Sequence, residues 1–532
     1  MKIKSILLLS LFLLACASGP PSNPESTGLT FVHLNDTYRV GDVEDGNAGG
    51  FGRVVTVIQE LQAKGRDVRI LHGGDFLYPS LESSLWQGAQ MVEAFNFMDA
   101  IAPMYVVAGN HEFDPRTADS LVNAVKSSEF DWLGDNYAFA TGDEAVDSAL
   151  KSAFTFESNG KTIGIFSLSI HPDHGGNLRS YLPMEKDYTG IAEKVISDFE
   201  EAGVDAIIGL THLYMWQDKE IAALRAAHPK FVFVVGGHDH EPEYFAQSAG
   251  SAALMKGASN ARVIWTIDLA FDEAGLPLIN ETRLPLDHSI SPDAEYAILQ
   301  DKWRTRLLEK YPFLSARIGT AAVPLDAREV AVRSVESNWG NFIADQMRGA
   351  FGKPVADFAF INGGTLRIDD MIDGDILFED IGRTFGFSSY LRHTMVTGAE
   401  FKAVMENGYR GAGGTQGFFP QISGFRVCVD YARDEWDRIV SLQLPVVGVW
   451  QEIDADTEYS LIVPDFLYGG GDGYQIPKDR PASRPGSELV YLVLDAVLTA
   501  QGRGEKIGKP VDPDNPRYYE LPEGDSVCFE KR

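Results

Sequence analysis

Five separate apolar segments of this chain each end in side chains that suit a hard metal ion. The segments are LTFVHLND, VRILHGGD, MYVVAGNHEFD, AIIGLTH and FVFVVGGHDH, and their candidate ligands are Asp36, Asp75, Asn110, His212, His238 and His240. Carboxylate, amide and imidazole groups bind Zn, Mn, Fe or Mg. A buried strand followed by a polar turn explains one such segment, but chance is a poor account of five. The sequence therefore predicts strand ends that share one site, with enough ligands for two adjacent metal ions.

The first half of the chain has the pattern of an α/β domain. From about residue 28 to 285, β-branched runs alternate with helical patterns such as the face formed by Val54, Ile58 and Leu61. The strands are apolar almost throughout, as expected for a sheet covered on both faces. Ligands at the carboxyl ends of such strands lie where α/β folds place their sites.

A chain of 532 residues is long enough for two domains. Ser291-Pro292 predicts the start of a helix, with Ser291 as its N-cap, that continues to about Lys310 with an apolar stripe. We therefore expect a first domain at 28–288, a linker helix at 289–316 and a second domain at 317–532.

The charge balance excludes general binding to nucleic-acid polymers. There are 46 basic and 76 acidic residues, which gives a formal net charge of -30. Such a surface repels a phosphate backbone. An anionic substrate must then be captured by a local positive site made of metal ions and a few arginines.

The N-terminus, residues 1–16, has the layout of a lipoprotein-type signal peptide. Two lysines precede the apolar stretch 6–14, which is too short to span a membrane. Residues 13–16 resemble the lipobox of bacterial lipoproteins, which implies cleavage before Cys16 and its acylation. The composition of residues 17–27 indicates a tether. An ordinary signal peptide is the alternative; the lipoprotein interpretation predicts a periplasmic, outer-membrane or cell-surface protein with a lipid anchor.

Cys428 and Cys528 are the cysteines that remain after Cys16. In an oxidising, exported setting they could form a disulfide. The sequence leaves their pairing open.

Nine short phrases carry a family resemblance. LNDTYRV, GGD, GNHEFD, THL and GGHDH, in this order and spacing, resemble the calcineurin-like metallophosphoesterases. SNWGNFIADQM, FINGGTLR, TFGF and FLYGGGDGY are similar to the C-terminal domain of the 5′-nucleotidase family. The resemblance implies an α/β fold, with a four-layer αββα catalytic sandwich at 28–288 and an α+β substrate-binding domain at 317–532.

The resemblance implies two divalent or mixed-valence metal ions, of Zn, Mn or Fe. Asp75 would bridge them, Asp36 and His240 would bind one, and the other would be bound by Asn110, His212 and His238. A water molecule held between two cations is deprotonated to hydroxide near neutral pH, and this hydroxide is a ready nucleophile.

Tyr38 departs from the family pattern, whose first motif is usually Asp-x-His. A tyrosinate can bind ferric iron, whereas a neutral phenol is a poor ligand for zinc. Three alternatives stay open: an unusual metal, a first ion with fewer ligands, or a nearby group that substitutes. We place Tyr38 at or near the metal.

Two further groups are implied by the resemblance. His111 would contact the phosphate and either stabilise the transition state or assist the leaving oxygen, with Asp114 orienting its ring and holding it cationic. The substrate-binding residues would be Arg333, Asn362, Arg367, Phe385, Phe466 and Asp472. The two phenylalanines would stack on a nucleobase, although core packing is the commoner fate of this residue type.

The implied function is an exported 5′-nucleotidase that hydrolyses nucleoside 5′-monophosphates. Its partners would be a nucleotide and, through the lipid anchor, a membrane. The alternatives are a hydrolase of 2′,3′-cyclic nucleotides, nucleotide sugars or nucleoside di- and triphosphates, and a nucleotide-binding protein whose catalysis is impaired. The native metals, the preferred base and the oligomeric state are left open.

Overall fold

A computed structural model of the chain describes residues 25–171, 179–411, 414–480, 482–525 and 527–529. The predicted signal peptide, the acylation site at Cys16 and most of the tether lie outside the described residues. Within these ranges, no helix has both the length and the apolar character needed to cross a membrane.

The first domain is built on two mixed sheets. Its strands are β1 (Glu25–Leu34), β2 (Asp67–His72), β3 (Met104–Val107), β4 (Asp131–Leu133), β5 (Phe154–Ser158), β6 (Lys161–Ser169), β7 (Ala206–His212), β8 (Phe231–Gly236), β9 (Tyr244–Phe245), β10 (Ala253–Lys256), β11 (Val263–Phe271) and β12 (Pro277–Pro285). Its helices are α1 (Phe51–Ala63), α2 (Leu81–Trp86), α3 (Ala89–Asp99), α4 (Asp119–Ser127), α5 (Glu144–Asp147), α6 (Tyr188–Glu201) and α7 (Met215–Ala222). The strand orders are β12-β11-β1-β2-β3-β4 and β5-β6-β7-β8-β10-β9.

The two sheets pack face to face, and helices cover their outer faces. Strand β3 lies against β6 and β7, and β8 lies against β12. The ring of Phe31 on β1 contacts that of Phe233 on β8 with centroids 5.5 Å apart. Helices α1 and α3 pack on the first sheet, and α6 packs on the second through Ile196 and Phe199. This arrangement is the expected four-layer αββα sandwich.

The registers of the parallel strands bring the ligand-bearing segments together. Leu34 at the end of β1 pairs with His72 at the end of β2, and His72 pairs in turn with Val106 of β3. In the second sheet Thr211 of β7 pairs with Gly236 of β8. The segments that follow these strands therefore leave the two sheets at neighbouring edges.

Helix α8 (Ala294–Lys310) follows the first domain and buries the predicted apolar stripe of Tyr296, Leu299, Trp303 and Leu307. The prediction of Ser291 as its N-cap is wrong. The cap is Asp293, whose carboxylate accepts a hydrogen bond from the Tyr296 N–H at 2.8 Å. Asp and Ser are similarly good caps, so the sequence alone could not separate two candidates two residues apart.

The second domain is α+β. Its strands are β13 (Arg317–Thr320), β14 (Leu325–Asp326), β15 (Phe358–Asn362), β16 (Met371–Ile372), β17 (Asp375–Leu377), β18 (Leu391–Thr397), β19 (Pro420–Ser423), β20 (Arg426–Val429), β21 (Ile439–Val446), β22 (Val449–Glu452), β23 (Glu458–Pro464) and β24 (Tyr518–Glu520). Its helices are α9 (Glu329–Val332), α10 (Asn338–Gly349), α11 (Phe378–Thr384), α12 (Gly398–Gly408), α13 (Asp465–Gly469) and α14 (Leu489–Gly502). Larger sheets have the orders β18-β23-β15-β19 and β22-β21-β20-β24. Cys428 of β20 forms a disulfide with Cys528.

Candidate active site

One group of predicted ligands converges between the ends of β2, β3, β7 and β8. The Asp75 Oδ2 atom lies 3.2 Å from His212 Nε2. The Asn110 Oδ1 atom lies 3.3 Å from His212 Nε2 and 3.0 Å from His238 Nδ1. Ligand atoms of Asp75, His212 and His238 all lie within 4.8 Å of one another. Separations near 3 Å between oxygen and nitrogen donors are those of atoms that share one metal ion, so this set fits a cation.

The second group contains Tyr38. Asp36 Oδ1 lies 3.3 Å from His240 Nε2. The Tyr38 hydroxyl lies 2.9 Å from His240 Nε2 and 3.3 Å from Asp36 Oδ1, so it forms the third corner of this cluster. Burial and the neighbouring carboxylates of Asp36 and Asp75 raise the pKa of Tyr38 well above its usual value. The cluster therefore offers a cation two oxygens, from Asp36 and Tyr38, and one nitrogen, from His240.

The backbone at the strand ends is bent so that ligands face inward. Asp36, Asp75, His238 and His240 have φ values of 52°, 59°, 84° and 65°, in the left-handed region that non-glycine residues rarely adopt. Such strained residues concentrate at functional sites, where surrounding contacts hold them. One such contact is the hydrogen bond from the His238 N–H to Asp36 Oδ2 at 2.9 Å.

Glu112 holds the two loops with the candidate ligands together, a role that was not predicted from the sequence. Its buried carboxylate accepts backbone N–H groups of Asp75 at 2.9 Å, Phe76 at 2.7 Å, Leu77 at 3.0 Å and Gly109 at 2.5 Å. Burial and the charge of Asp75 raise the pKa of Glu112 to about 6. The sequence signal for this role is the position of Glu112 inside the GNHEFD phrase. The residues of that phrase predicted to belong to the site are Asn110, His111 and Asp114.

His111 and Asp114 form the predicted pair. His111 Nδ1 lies 2.8 Å from Asp114 Oδ2, at the two ends of a single 3₁₀ turn. The His111 N–H donates to Asp75 Oδ1 at 2.8 Å, which fixes the residue against the metal cluster. Burial lowers the pKa of His111, but the carboxylates of Asp114 and Asp75 outweigh burial and the pKa is raised.

Two arginines of the second domain reach this cluster. The Arg367 guanidinium lies 5.2 Å from the ring centre of Tyr38, and its Nη2 atom is 3.5 Å from His111 Nε2. Arg333 forms a 2.8 Å ion pair with Glu329. Buried N–H groups remain on both guanidiniums, at Nε of each and at Nη1 of Arg367, without a hydrogen-bond partner in the described ranges. Unsatisfied donors of this kind suit the oxygens of a phosphate.

The remaining predicted residues differ in their surroundings. Asn362 donates to Asp472 Oδ2 at 2.7 Å. The Phe466 ring on α13 is 43% exposed, as a stacking platform requires. Phe385 is only 7% exposed and belongs to the apolar core that includes Ile381. Phe385 is thus a core residue in this structure, and its stacking on a nucleobase stays a prediction.

Phe387 and Glu329 also line the site without having been predicted as site residues. The Phe387 ring centre lies 5.6 Å from that of His111 and 5.3 Å from the Arg367 guanidinium. Glu329 Oε1 lies 2.5 Å from His240 Nδ1. The sequence signal for Phe387 is its place in the TFGF phrase. Nothing in the sequence links Glu329 to a histidine 89 positions earlier.

Comparisons with known proteins show which families the chain is similar to. A family model described as calcineurin-like phosphoesterase matches residues 29–242, and a model described as 5′-nucleotidase, C-terminal domain, matches residues 317–479. The chain is 25% identical over 504 residues to a 5′-nucleotidase of Homo sapiens, with 85% of each chain covered. It is also 25% identical over 520 residues to a snake venom 5′-nucleotidase of Gloydius brevicauda, covering 89% of this chain and 87% of that relative.

Solved structures show the same fold. A 5′-nucleotidase precursor from Thermus thermophilus matches with a TM-score of 0.77 and 22% identity, over 93% of this chain and 99% of that chain. The sulfate thiohydrolase SoxB of the same organism matches with a TM-score of 0.70 and 16% identity, over 95% and 98%. At these identities the likeness establishes the two-domain architecture.

Proposed function

Because the chain belongs to the calcineurin-like metallophosphoesterases that carry a 5′-nucleotidase C-terminal domain, and is thus a metal-dependent phosphoester hydrolase, we propose that it hydrolyses nucleoside 5′-monophosphates to nucleoside and phosphate. One observation carries the proposal. The unsatisfied guanidinium of Arg367 lies 3.5 Å from His111 Nε2, beside the ligand cluster. One phosphate oxygen would accept hydrogen bonds from both groups, because their nitrogen atoms lie on the same side of the site.

The proposed roles follow from the contacts. Two cations bound by Asp36, Tyr38 and His240 and by Asp75, Asn110, His212 and His238 would supply Lewis acidity and activate water. Arg333 and Arg367 would donate their free N–H groups to phosphate oxygens. Asp114 accepts a hydrogen bond from His111 Nδ1, which turns Nε2 toward the phosphate. A proton on that Nε2 would pass to the leaving oxygen.

The second domain would select the nucleoside. Asp472 follows a glycine-rich turn and has a φ of 53°, which turns its carboxylate toward Asn362. We assign this carboxylate to the ribose hydroxyls. The exposed ring of Phe466 would stack on the base, a contact that tolerates different bases.

A substrate panel tests this function. The full chain loaded with Mn²⁺ is assayed by phosphate release with AMP, ADP, ATP, 2′,3′-cyclic AMP and p-nitrophenyl phosphate. We expect the highest kcat/KM with AMP. Phe466→Ala should raise the KM for AMP by about 5- to 150-fold, since stacking contributes about 1–3 kcal/mol per base, and should leave the KM for p-nitrophenyl phosphate unchanged. Phe245→Ala, which removes a similarly exposed ring of the first domain, is the control.

The panel also separates the alternative substrates. A higher kcat/KM with the cyclic nucleotide or with ATP would replace the monophosphatase assignment. An equal effect of Phe466→Ala on AMP and on p-nitrophenyl phosphate would contradict base stacking.

We also propose that the protein is exported and anchored by a lipid on Cys16. The lipobox-like residues 13–16 support this, and the disulfide between Cys428 and Cys528 suits an oxidising compartment. The native protein should partition into the detergent phase on Triton X-114 separation, and Cys16→Ala should partition into the aqueous phase. Aqueous partitioning of both would contradict the anchor.

A further inference from the structure

Glu329 belongs to the second domain but lies against a predicted metal ligand of the first. It begins helix α9, and its side chain is buried. Its Oε1 atom lies 2.5 Å from His240 Nδ1. Its Oε2 atom accepts hydrogen bonds from the Ser259 hydroxyl and, at 3.0 Å, from Arg262 Nη2. Three side chains of the first domain therefore meet one carboxylate of the second.

The same carboxylate also pairs with Arg333, which we propose to contact the phosphate. Arg333 Nη2 lies 2.8 Å from Glu329 Oε1, one helical turn further along the chain. Glu329 is thus placed between His240, a ligand of the metal cluster, and Arg333, a predicted substrate contact. A buried carboxylate that is held by two guanidiniums and an imidazole stays ionised and acts as an acceptor only.

An acceptor at Nδ1 decides which atom of His240 is free for a cation. Because the carboxylate can only accept, Nδ1 carries the proton and Nε2 is directed at Asp36 and Tyr38. The imidazole is also stacked on the Tyr38 ring, with centroids 5.5 Å apart and planes at 29°. Carboxylates that fix a ligating histidine in this way raise its basicity and its affinity for the metal.

The other cation position is held differently. The ring of His212 is fixed from within the first domain, since its Nδ1 atom lies 2.6 Å from the Gly73 carbonyl oxygen. The position formed by Asp36, Tyr38 and His240 instead depends on a residue from the second domain. Opening of the domains would leave His212 oriented but would remove the partner of His240.

We propose that Glu329 is a positioning residue through which the second domain completes the cation position of Asp36, Tyr38 and His240, so that domain closure and cation binding there strengthen each other. The proposal rests on the proposed function only in assuming that the bound cations serve the hydrolysis of a phosphoester. Cation binding itself is measured without a nucleotide, so a wrong substrate assignment and a wrong role for Glu329 give different results.

The test is a titration of the metal-stripped full chain with Mn²⁺ by calorimetry, with metal content measured after gel filtration. We expect two Mn²⁺ per native chain. Glu329→Ala should weaken one of them by about 10- to 100-fold, the usual effect of removing such a partner, and leave the other unchanged. Asp326→Ala is the matched control, because this carboxylate lies three residues away and pairs with Arg328 of its own domain.

A double-mutant cycle separates positioning from a general loss of structure. His240→Ala should remove the same Mn²⁺, and His240→Ala combined with Glu329→Ala should bind no more weakly than His240→Ala alone. A merely structural role for Glu329 would add a further loss to both cation positions. That additive result would overturn the proposal.

Glu329→Asp keeps the charge that the arginines require and guards against misfolding of the alanine variant. The shorter side chain withdraws the carboxylate from His240, so we expect at least about threefold weaker binding of one Mn²⁺. Folded Glu329→Ala or Glu329→Asp protein that binds both Mn²⁺ ions with native affinity would refute the role of Glu329.

Discussion

At the scale of single residues, three histidines of the site are oriented through the Nδ1 atom of the ring. His212 Nδ1 contacts a backbone carbonyl, His111 Nδ1 contacts Asp114, and His240 Nδ1 contacts Glu329. An acceptor at Nδ1 keeps the proton on that nitrogen and leaves Nε2 to face the site. The group opposite Nε2 then separates the proposed roles: it is the carboxylate of Asp75 for His212 and of Asp36 for His240, but the Arg367 guanidinium for His111.

His111→Ala should lower kcat for AMP by roughly 100-fold or more, because the ring assists the leaving oxygen. The Mn²⁺ content should stay native, since the contact between this residue and Asp75 Oδ1 is made by the backbone N–H. Asp114→Asn keeps the ring and should cause a smaller loss. Kinetics and metal analysis of both variants decide this, and a loss below about threefold in His111→Ala would remove the ring from the reaction.

Tyr38→Phe should lower the affinity for one Mn²⁺ ion by about tenfold, because it deletes the hydroxyl that lies 2.9 Å from His240 Nε2. The phenyl ring that remains still supports the Arg367 guanidinium. Calorimetric titration measures the effect, with Tyr244→Phe as the control, because Tyr244 is exposed and its hydroxyl donates to Glu281. Native binding in Tyr38→Phe would place the phenol outside the coordination sphere.

At the scale of elements, strands and their following loops have separate tasks. The apolar strands could be predicted because burial on both faces demands continuous apolar runs. The meeting of the candidate ligands could be predicted because they follow those runs. The role of Glu112 could not, because it depends on four backbone N–H groups from two loops that only the folded sheet brings together. The same limit applies to Phe385, whose burial is decided by helix α11 and not by its glycine-rich neighbours.

Glu112→Gln should loosen both ligand-bearing loops. The amide nitrogen of glutamine would face backbone N–H donors, and each buried donor left unsatisfied costs about 1–3 kcal/mol. We expect a lower Tm for the metal-free variant and weaker binding of both Mn²⁺ ions. Differential scanning calorimetry measures the first effect, with Glu157→Gln on the exposed edge of β5 as the control. An unchanged Tm would contradict the structural role of Glu112.

At the scale of the whole molecule, the candidate site lies where the two domains meet, because Glu329 and Arg367 of the second domain contact His240 and His111 of the first. Helix α8 contacts both, since Trp303 donates to Glu93 of the first domain at 3.0 Å and Arg304 pairs with Glu379 of the second. Sequence reasoning predicted the helix and the two domains from local patterns. It did not find Glu329, because a contact between residues 89 positions apart leaves no periodic signal in a single chain.

In this structure the two domains are also joined by partly buried ion pairs, and we call this arrangement the closed form. Arg39 lies 2.6 Å from Asp370, and Glu82 lies 2.8 Å from Arg383. The combined variant Arg39→Ala and Glu82→Ala removes both pairs from the first-domain side. We expect a larger radius of gyration by small-angle X-ray scattering for the metal-free variant than for the native protein, because the open form is no longer opposed by these contacts.

The same variant connects closure to cation binding. If Glu329 reaches His240 only in the closed form, weakening closure must also lower the affinity for one Mn²⁺ ion. Mn²⁺ must in turn restore the compact scattering profile, because coupling between two equilibria is reciprocal. Lys194→Ala, which breaks an exposed ion pair within the first domain, should change neither quantity. A variant that expands while binding both Mn²⁺ ions with native affinity would separate closure from the metal site. The second domain would then act on the substrate alone.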